Sequence, residues 1–139
     1  MMHEFVDTNV LLYAYDVSAG ERHVRARELV GRLGRERMGV LSVQVLQEFY
    51  VNATRKIAEP LSPASARERV LALARWRLHT PSAADVIAAS EIAEQTRRSF
   101  WDAMIVRSAT QMNCSVLWTE DLDHGQRVSG VELRNPFEG

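Results

Sequence analysis

The stretch that decides the fold is "EFVDTNVLLYAY", residues 4–15. Phe5 and Val6 read as a short buried strand over residues 4–7. Asp7, Thr8 and Asn9 interrupt it, and from Val10 to Tyr15 apolar residues resume as one or two helical turns. The polar triplet has two physical readings. Asp7 caps a helix starting at Asn9, or the strand end presents a carboxylate to a ligand.

Outward from this stretch the chain alternates. "MGVLS" (38–42) and "SVLWT" (115–119) read as strands, "RLHT" (77–80) as a weaker one, and "VEL" (131–133) as a last short one. Between them apolar residues recur at helical spacing. Ala26, Leu29, Val30 and Leu33 share one face of a helix from Glu21, with Gly34 as its expected end. Ser42 is placed to cap a helix carrying Val45, Leu46, Phe49, Ala53 and Ile57 inward. Ser62-Pro63 is a cap followed by proline at the first helical position, ahead of Val70, Leu73 and Ala74. Ser82 with Asp85 forms a capping-box pattern opening a helix to about residue 96. Ser99 opens the next, with Ile105, Val106, Ala109 and Met112 inward and Asn113 to close it. Short apolar strands alternating with amphipathic helices predict an α/β fold with a parallel sheet covered on both faces. In such sheets ligands bind outside the carboxyl ends of the strands.

Composition sets bounds. At 139 residues the chain suits one domain over residues 1–139. No apolar run approaches the roughly 20 residues of a membrane span. "MMHEFVDTN" lacks the features of a signal peptide, so a cytoplasmic location is expected. Cys114 is the only cysteine, read as a small buried residue. A net charge of −1 excludes a global field that draws in nucleic acid. Lys56 is the only lysine; the other basic side chains are arginines.

The acids fall where the fold would put a ligand. Asp7 ends the first strand, and Glu48 lies in the helix after the second. Asp102 lies in the first turn after Ser99, and Asp121, followed by Asp123, lies just past "SVLWT". Singly, each has a structural alternative: a helix cap, a dipole partner, a surface residue, a loop acid. Together, converging carboxylates without a compensating base repel one another unless a cation neutralises them. Hard oxygen donors suit Mg²⁺, with Mn²⁺ possible, rather than zinc. Such an ion serves phosphodiester hydrolysis.

Four blocks, "FVDTNVLLYAYD", "LSVQVLQEF", "SFWDAMIVRSA" and "LWTEDLDHGQ", in this order and spacing, resemble the PIN-domain ribonucleases. Within them the likeness is strongest to the VapC-type toxins of bacterial toxin–antitoxin pairs. The resemblance covers nearly the whole chain and implies a three-layer α/β/α sandwich. It maps a catalytic and metal-binding quartet onto Asp7, Glu48, Asp102 and Asp121, with Thr8, Asn9 and Thr119 as polar supports and Asp123 as an extra acid. It implies endonucleolytic RNA cleavage by metal-activated water, leaving 5′-phosphate and 3′-hydroxyl ends. It also implies a cognate VapB-like antitoxin and a second copy of the chain as partners.

Single-stranded or looped RNA is the expected substrate, because its bases can be splayed and stacked. Tyr13, Tyr15 and Trp101 are candidates for stacking, with Trp101 assigned to the core by its helical setting. Arg22, Arg25, Arg97 and Arg98 are placed mostly on a solvated face. His124 either touches substrate or is a loop residue beside Gly125. A haloacid-dehalogenase-type phosphatase needs an aspartate where Asn9 stands. A receiver domain needs a lysine that Lys56 does not supply. A housekeeping RNA-processing PIN nuclease and a non-catalytic binding module are the remaining alternatives.

Overall fold

The computed structural model describes residues 2–120 and 124–138. The first strand, β1 (His3–Val6), leads directly into α1 (Thr8–Tyr13). The helix therefore begins two residues earlier than Val10, because Asp7 is its cap and accepts the Thr8 backbone N–H. After a 3-10 turn at Val17–Ala19 comes α2 (Glu21–Glu36), then β2 (Gly39–Ser42) and α3 (Val43–Arg55). α4 (Pro63–Leu73), β3 (Arg77–His79), α5 (Ala83–Thr96) and α6 (Phe100–Gln111) follow. The chain ends with β4 (Cys114–Trp118), β5 (Arg127–Val128) and β6 (Val131–Arg134).

The expected caps do their work. Ser42, Ser62, Ser82 and Ser99 each accept a backbone N–H three residues on, and Ser82 with Asp85 completes the capping box. Gly34 does not end α2. The helix continues to Glu36, and Arg37 takes the left-handed conformation at φ 55°. Met38 N–H then reaches back to the Leu33 carbonyl at 3.0 Å, a Schellman-type closure that satisfies a terminal carbonyl.

The strands lie in the order β3-β2-β1-β4-β6-β5. Five of these run parallel, and β5 pairs antiparallel with β6 at the edge. Two residues are too few to carry an alternating pattern, so β5 has no signal in the sequence. The chain runs from β1 outward through β2 and β3, then crosses to the other side of β1 to lay down β4. That reversal opens a crevice beyond the carboxyl ends of β1 and β4. Helices flank the sheet, with α1 packed on α2 and α3, α4 on α3, and α5 on α6. Phe5, Val6, Val40, Leu41, Leu117 and Leu133 from the strands are fully buried with Leu11, Leu33, Val45 and Phe49 from the helices. Cys114 is buried in this core, where burial pushes its thiol up to about 12. Among the described residues no helix is long and apolar enough to cross a membrane.

A buried polar network ties β3 to α5 and α6. His79 Nδ1 lies 2.8 Å from Ser108 Oγ, and His79 Nε2 lies 3.2 Å from Asp85 Oδ2. Arg107 Nε donates to Asp85 Oδ1 at 2.8 Å. The row of serine, histidine and aspartate is not a hydrolytic triad. Ser108 is wholly buried within α6, where no substrate can reach it. The Ser82 backbone N–H, then the Arg107 and Ser82 side chains and His79, hold the Asp85 carboxyl down to about 2, against its burial.

Two predictions concern stability. Asp85 titrates near 2 when folded and near 3.8 when unfolded, so the unfolded chain binds its proton more tightly. Its contribution, about 2 kcal/mol, is complete above roughly pH 5 and is lost as pH falls through 4 toward 2. Urea midpoints measured across that window should fall in wild type and flatten in Asp85→Asn. At the amino end of β2, a Cβ on Gly39 would overlap Cζ3, Cε3 and Cη2 of Trp76. Gly39→Ala should therefore cost about 1–3 kcal/mol. Trp76→Leu in the same chain should recover part of that loss, and additive costs would refute the contact.

Candidate active site

The cleft at the carboxyl end of the sheet is assembled from three elements. Val6 pairs with Trp118 across β1 and β4, so the next residues, Asp7 and Thr119, stand level. Thr119 Oγ1 donates to Asp7 Oδ2 at 2.9 Å. The other oxygen, Oδ1, accepts the Thr8 backbone N–H at 2.7 Å. Asp7 is 9% exposed, with both oxygens engaged. Of the two readings of the opening triplet, the cap is realised at α1, and Asp7 also lines the cleft.

Glu48 comes from α3, the helix that Ser42 starts at the end of β2. Thr8 Oγ1 donates to Glu48 Oε1 at 2.6 Å, and Gln44 Nε2 donates to Oε2 at 3.1 Å. Thr8 therefore supports both acids, Asp7 through its amide and Glu48 through its hydroxyl. Asp102 comes from the first turn of α6, its own N–H bound to Ser99 Oγ at 3.1 Å. That turn is the positive end of the helix dipole, which favours a carboxylate.

Asp7, Glu48 and Asp102 line one cleft of about 210 Å³ with Thr8, Asn9, Gln44, Asn52, Trp101 and Ile105. Among the described residues neither lysine nor arginine lines it. The structure thus brings together three of the four expected acids, with Thr8 and Asn9 in the lining and Thr119 bonded to Asp7. Asp121 and Asp123 lie outside the described residues. The donor set is oxygen only, which fits a hard divalent cation. Among the described residues no three acidic, histidine or cysteine side chains form a ready-made metal cluster.

Several sequence expectations change here. Trp101 is not core: it is 63% exposed at the cleft, its ring edge-on to Phe100 at 5.2 Å. Position 101 lies in the first turn of α6, before the helix packs fully, so its helical spacing did not imply burial. Tyr13 donates to Glu120 at 2.9 Å and meets the Phe137 ring edge-on, while Tyr15 packs on Phe49. Arg22 pairs with Glu120 at 3.8 Å, Arg25 with Glu21 at 3.3 Å, and Arg98 with Gln126 at 2.9 Å. Those contacts are at the surface, where Arg22 and Arg25 are 48% and 36% exposed, so the arginines keep the solvated face expected of most of them. His124 Nδ1 accepts the Asn135 N–H at 3.0 Å, a loop-closing contact. Gln44 and Asn52 were missed. Their signal was present, since positions four before and four after Glu48 share its helix face.

Comparison with known proteins agrees with this architecture. The PIN domain profile matches residues 5–129. No curated protein matches by sequence. Among solved structures, the chain is similar to a DNA-bound VapBC from Salmonella typhimurium, at 20% identity over 98% of this chain and 99% of that one, TM-score 0.68. It is similar to a toxin–antitoxin complex from Klebsiella pneumoniae, at 18% identity over 97% and 98%, TM-score 0.70. A third likeness is to a VapC toxin of Mycobacterium tuberculosis described as cleaving the sarcin-ricin loop, at 20% identity over 82% and 86%, TM-score 0.61. With a profile match across most of its length and acids gathered at the carboxyl edge of a mostly parallel sheet, the chain belongs to the PIN domain family.

Proposed function

We propose that this PIN domain is a metal-dependent endoribonuclease and the toxin of a VapBC-type pair. The observation that carries the reading is the cleft itself. Three carboxylates arrive from β1, α3 and α6 at one concavity whose lining, among the described residues, contains no basic side chain. Such an arrangement is costly to fill with nothing but carboxylates and well suited to a divalent cation.

Asp7, Glu48, Asp102 and Asp121 would hold Mg²⁺ or Mn²⁺. When bound, the ion neutralises charge on the phosphodiester and lowers the pKa of water. The chain's own residues do the rest. Thr8 and Thr119 fix the orientation of Asp7 and Glu48 before substrate arrives, which is the role of supporting groups around a metal centre. Glu48, gripped on both oxygens, orients the attacking water. Trp101 offers an exposed indole face beside the carboxylates, on which a base next to the scissile phosphate stacks. In-line attack by water leaves 5′-phosphate and 3′-hydroxyl ends.

A VapB-like antitoxin is the proposed partner, in keeping with the VapBC complexes among the similar structures. A cleft lined by carboxylates can receive an arginine from that partner, which replaces the charge of the cation. A second copy of the chain is the proposed homodimer partner, and the proposed location is the cytoplasm.

Purified protein on a mixed tRNA and ribosomal RNA pool should give discrete products with Mg²⁺ and none with chelator. Asp7→Asn should lower cleavage by more than the ~10- to 100-fold typical of a supporting residue. Cleavage that persists in chelator, or cyclic phosphate ends, would sink the mechanism. Trp101→Ala should raise KM about 5- to 150-fold with kcat little changed, and Trp101→Phe should recover most of the loss. An unchanged KM in Trp101→Ala would remove the indole from substrate binding.

A further inference from the structure

Gln44 is 8% exposed, on α3 one turn before Glu48. Its amide nitrogen makes two bonds, to Glu48 Oε2 at 3.1 Å and to the Trp101 backbone carbonyl at 3.2 Å. Both hydrogens of the amide are therefore committed. The amide oxygen is buried and has no hydrogen-bond partner among the described residues. Flipping the amide would not relieve it, since the oxygen would then face the Glu48 carboxylate and the Trp101 carbonyl, both acceptors. A buried acceptor without a donor is a standing cost to folding, which an apolar side chain of similar length would not incur.

What the amide provides in exchange is a bridge. Glu48 Oε1 is held from the α1 side by Thr8 Oγ1 at 2.6 Å. Gln44 holds the other oxygen from the α6 side and, through the same nitrogen, ties down the residue next to Asp102. We infer that Gln44 is a positioning residue for the metal centre, setting the separation between Glu48 and the turn of α6 that carries Asp102. The inference rests on the metal-dependent reading proposed above. Thr8 fixes Glu48 relative to Asp7; Gln44 fixes it relative to Asp102. Without Gln44 each helix keeps its own packing, α3 on α1 and α4 and α6 on α5, but the cleft loses this polar tie between them.

The decisive variant is Gln44→Met, which matches the length of the side chain and removes both the donor and the orphaned oxygen. Mn²⁺ binding to the full-length chain, followed by electron paramagnetic resonance of the free ion, should weaken at least about tenfold. In the absence of metal the Tm should equal or exceed that of wild type, because the unpaired acceptor is gone. Gln44→Asn keeps an amide but is one methylene too short to span both acceptors, and it should weaken Mn²⁺ in the same direction. Asp85→Asn serves as the structural control, lowering the Tm and leaving Mn²⁺ affinity unchanged. Wild-type Mn²⁺ affinity in Gln44→Met, alongside loss of binding in Asp7→Asn, would overturn the role of Gln44 alone. Wild type that binds no more Mn²⁺ than Asp7→Asn would overturn the metal-dependent reading and this inference with it.

Discussion

The pairing of β1 with β4 is the constraint on which the site depends. Val6 stands opposite Trp118, so the chain leaves both strands at the same height, and Thr119 meets Asp7 there. A one-residue slip would turn Phe5 and Val6 to the wrong faces. The burial of those two side chains therefore holds the register that aligns the polar groups beyond them. The crevice exists because the chain reverses its direction of growth at β1, with β2 on one side and β4 on the other.

Above that edge the electrostatics are one-sided. Neutral donors and helix geometry steady each of the three acids. Asp7 is held by a backbone amide and a hydroxyl, Glu48 by a hydroxyl and an amide, and Asp102 sits in the first turn of a helix. Neutral hydrogen bonds orient a carboxylate without consuming its charge. Elsewhere the same chain pairs its acids freely: Asp85 with Arg107, Glu120 with Arg22, Glu132 with Arg134. The scaffold thus uses its carboxylates in ion pairs, whereas the partners of Glu48 in the cleft are a hydroxyl and an amide.

Much of the fold was legible because its signals are local. A serine three residues before the N–H it accepts is visible in the sequence, and all four serine caps stand where that pattern put them. Alternation of apolar strands with amphipathic helices is also local, as is the position of each acid relative to a strand end. The misses share a physical cause. α2 outran Gly34 because an arginine took the left-handed turn that glycine usually supplies. β5 owes its existence to its partner β6 rather than to its own two residues. Trp101 has the spacing of a core residue but sits in the first turn, before α6 packs against the sheet.

By itself, then, the sequence determined the class of fold, the caps that start the helices, and the placement of Asp7, Glu48 and Asp102 near one edge of a sheet, because those depend on periodicity and on short-range hydrogen bonds. The tertiary structure decided what lies between the acids. Thr8 reaches Glu48 across 40 positions, Thr119 reaches Asp7 across 112, and Gln44 reaches the Trp101 carbonyl across 57. Contacts at such separations are fixed by strand register and helix packing, which no local pattern encodes. They make an amide four residues before an acid into a bridge, and an aromatic assigned to the core into the open wall of a cleft.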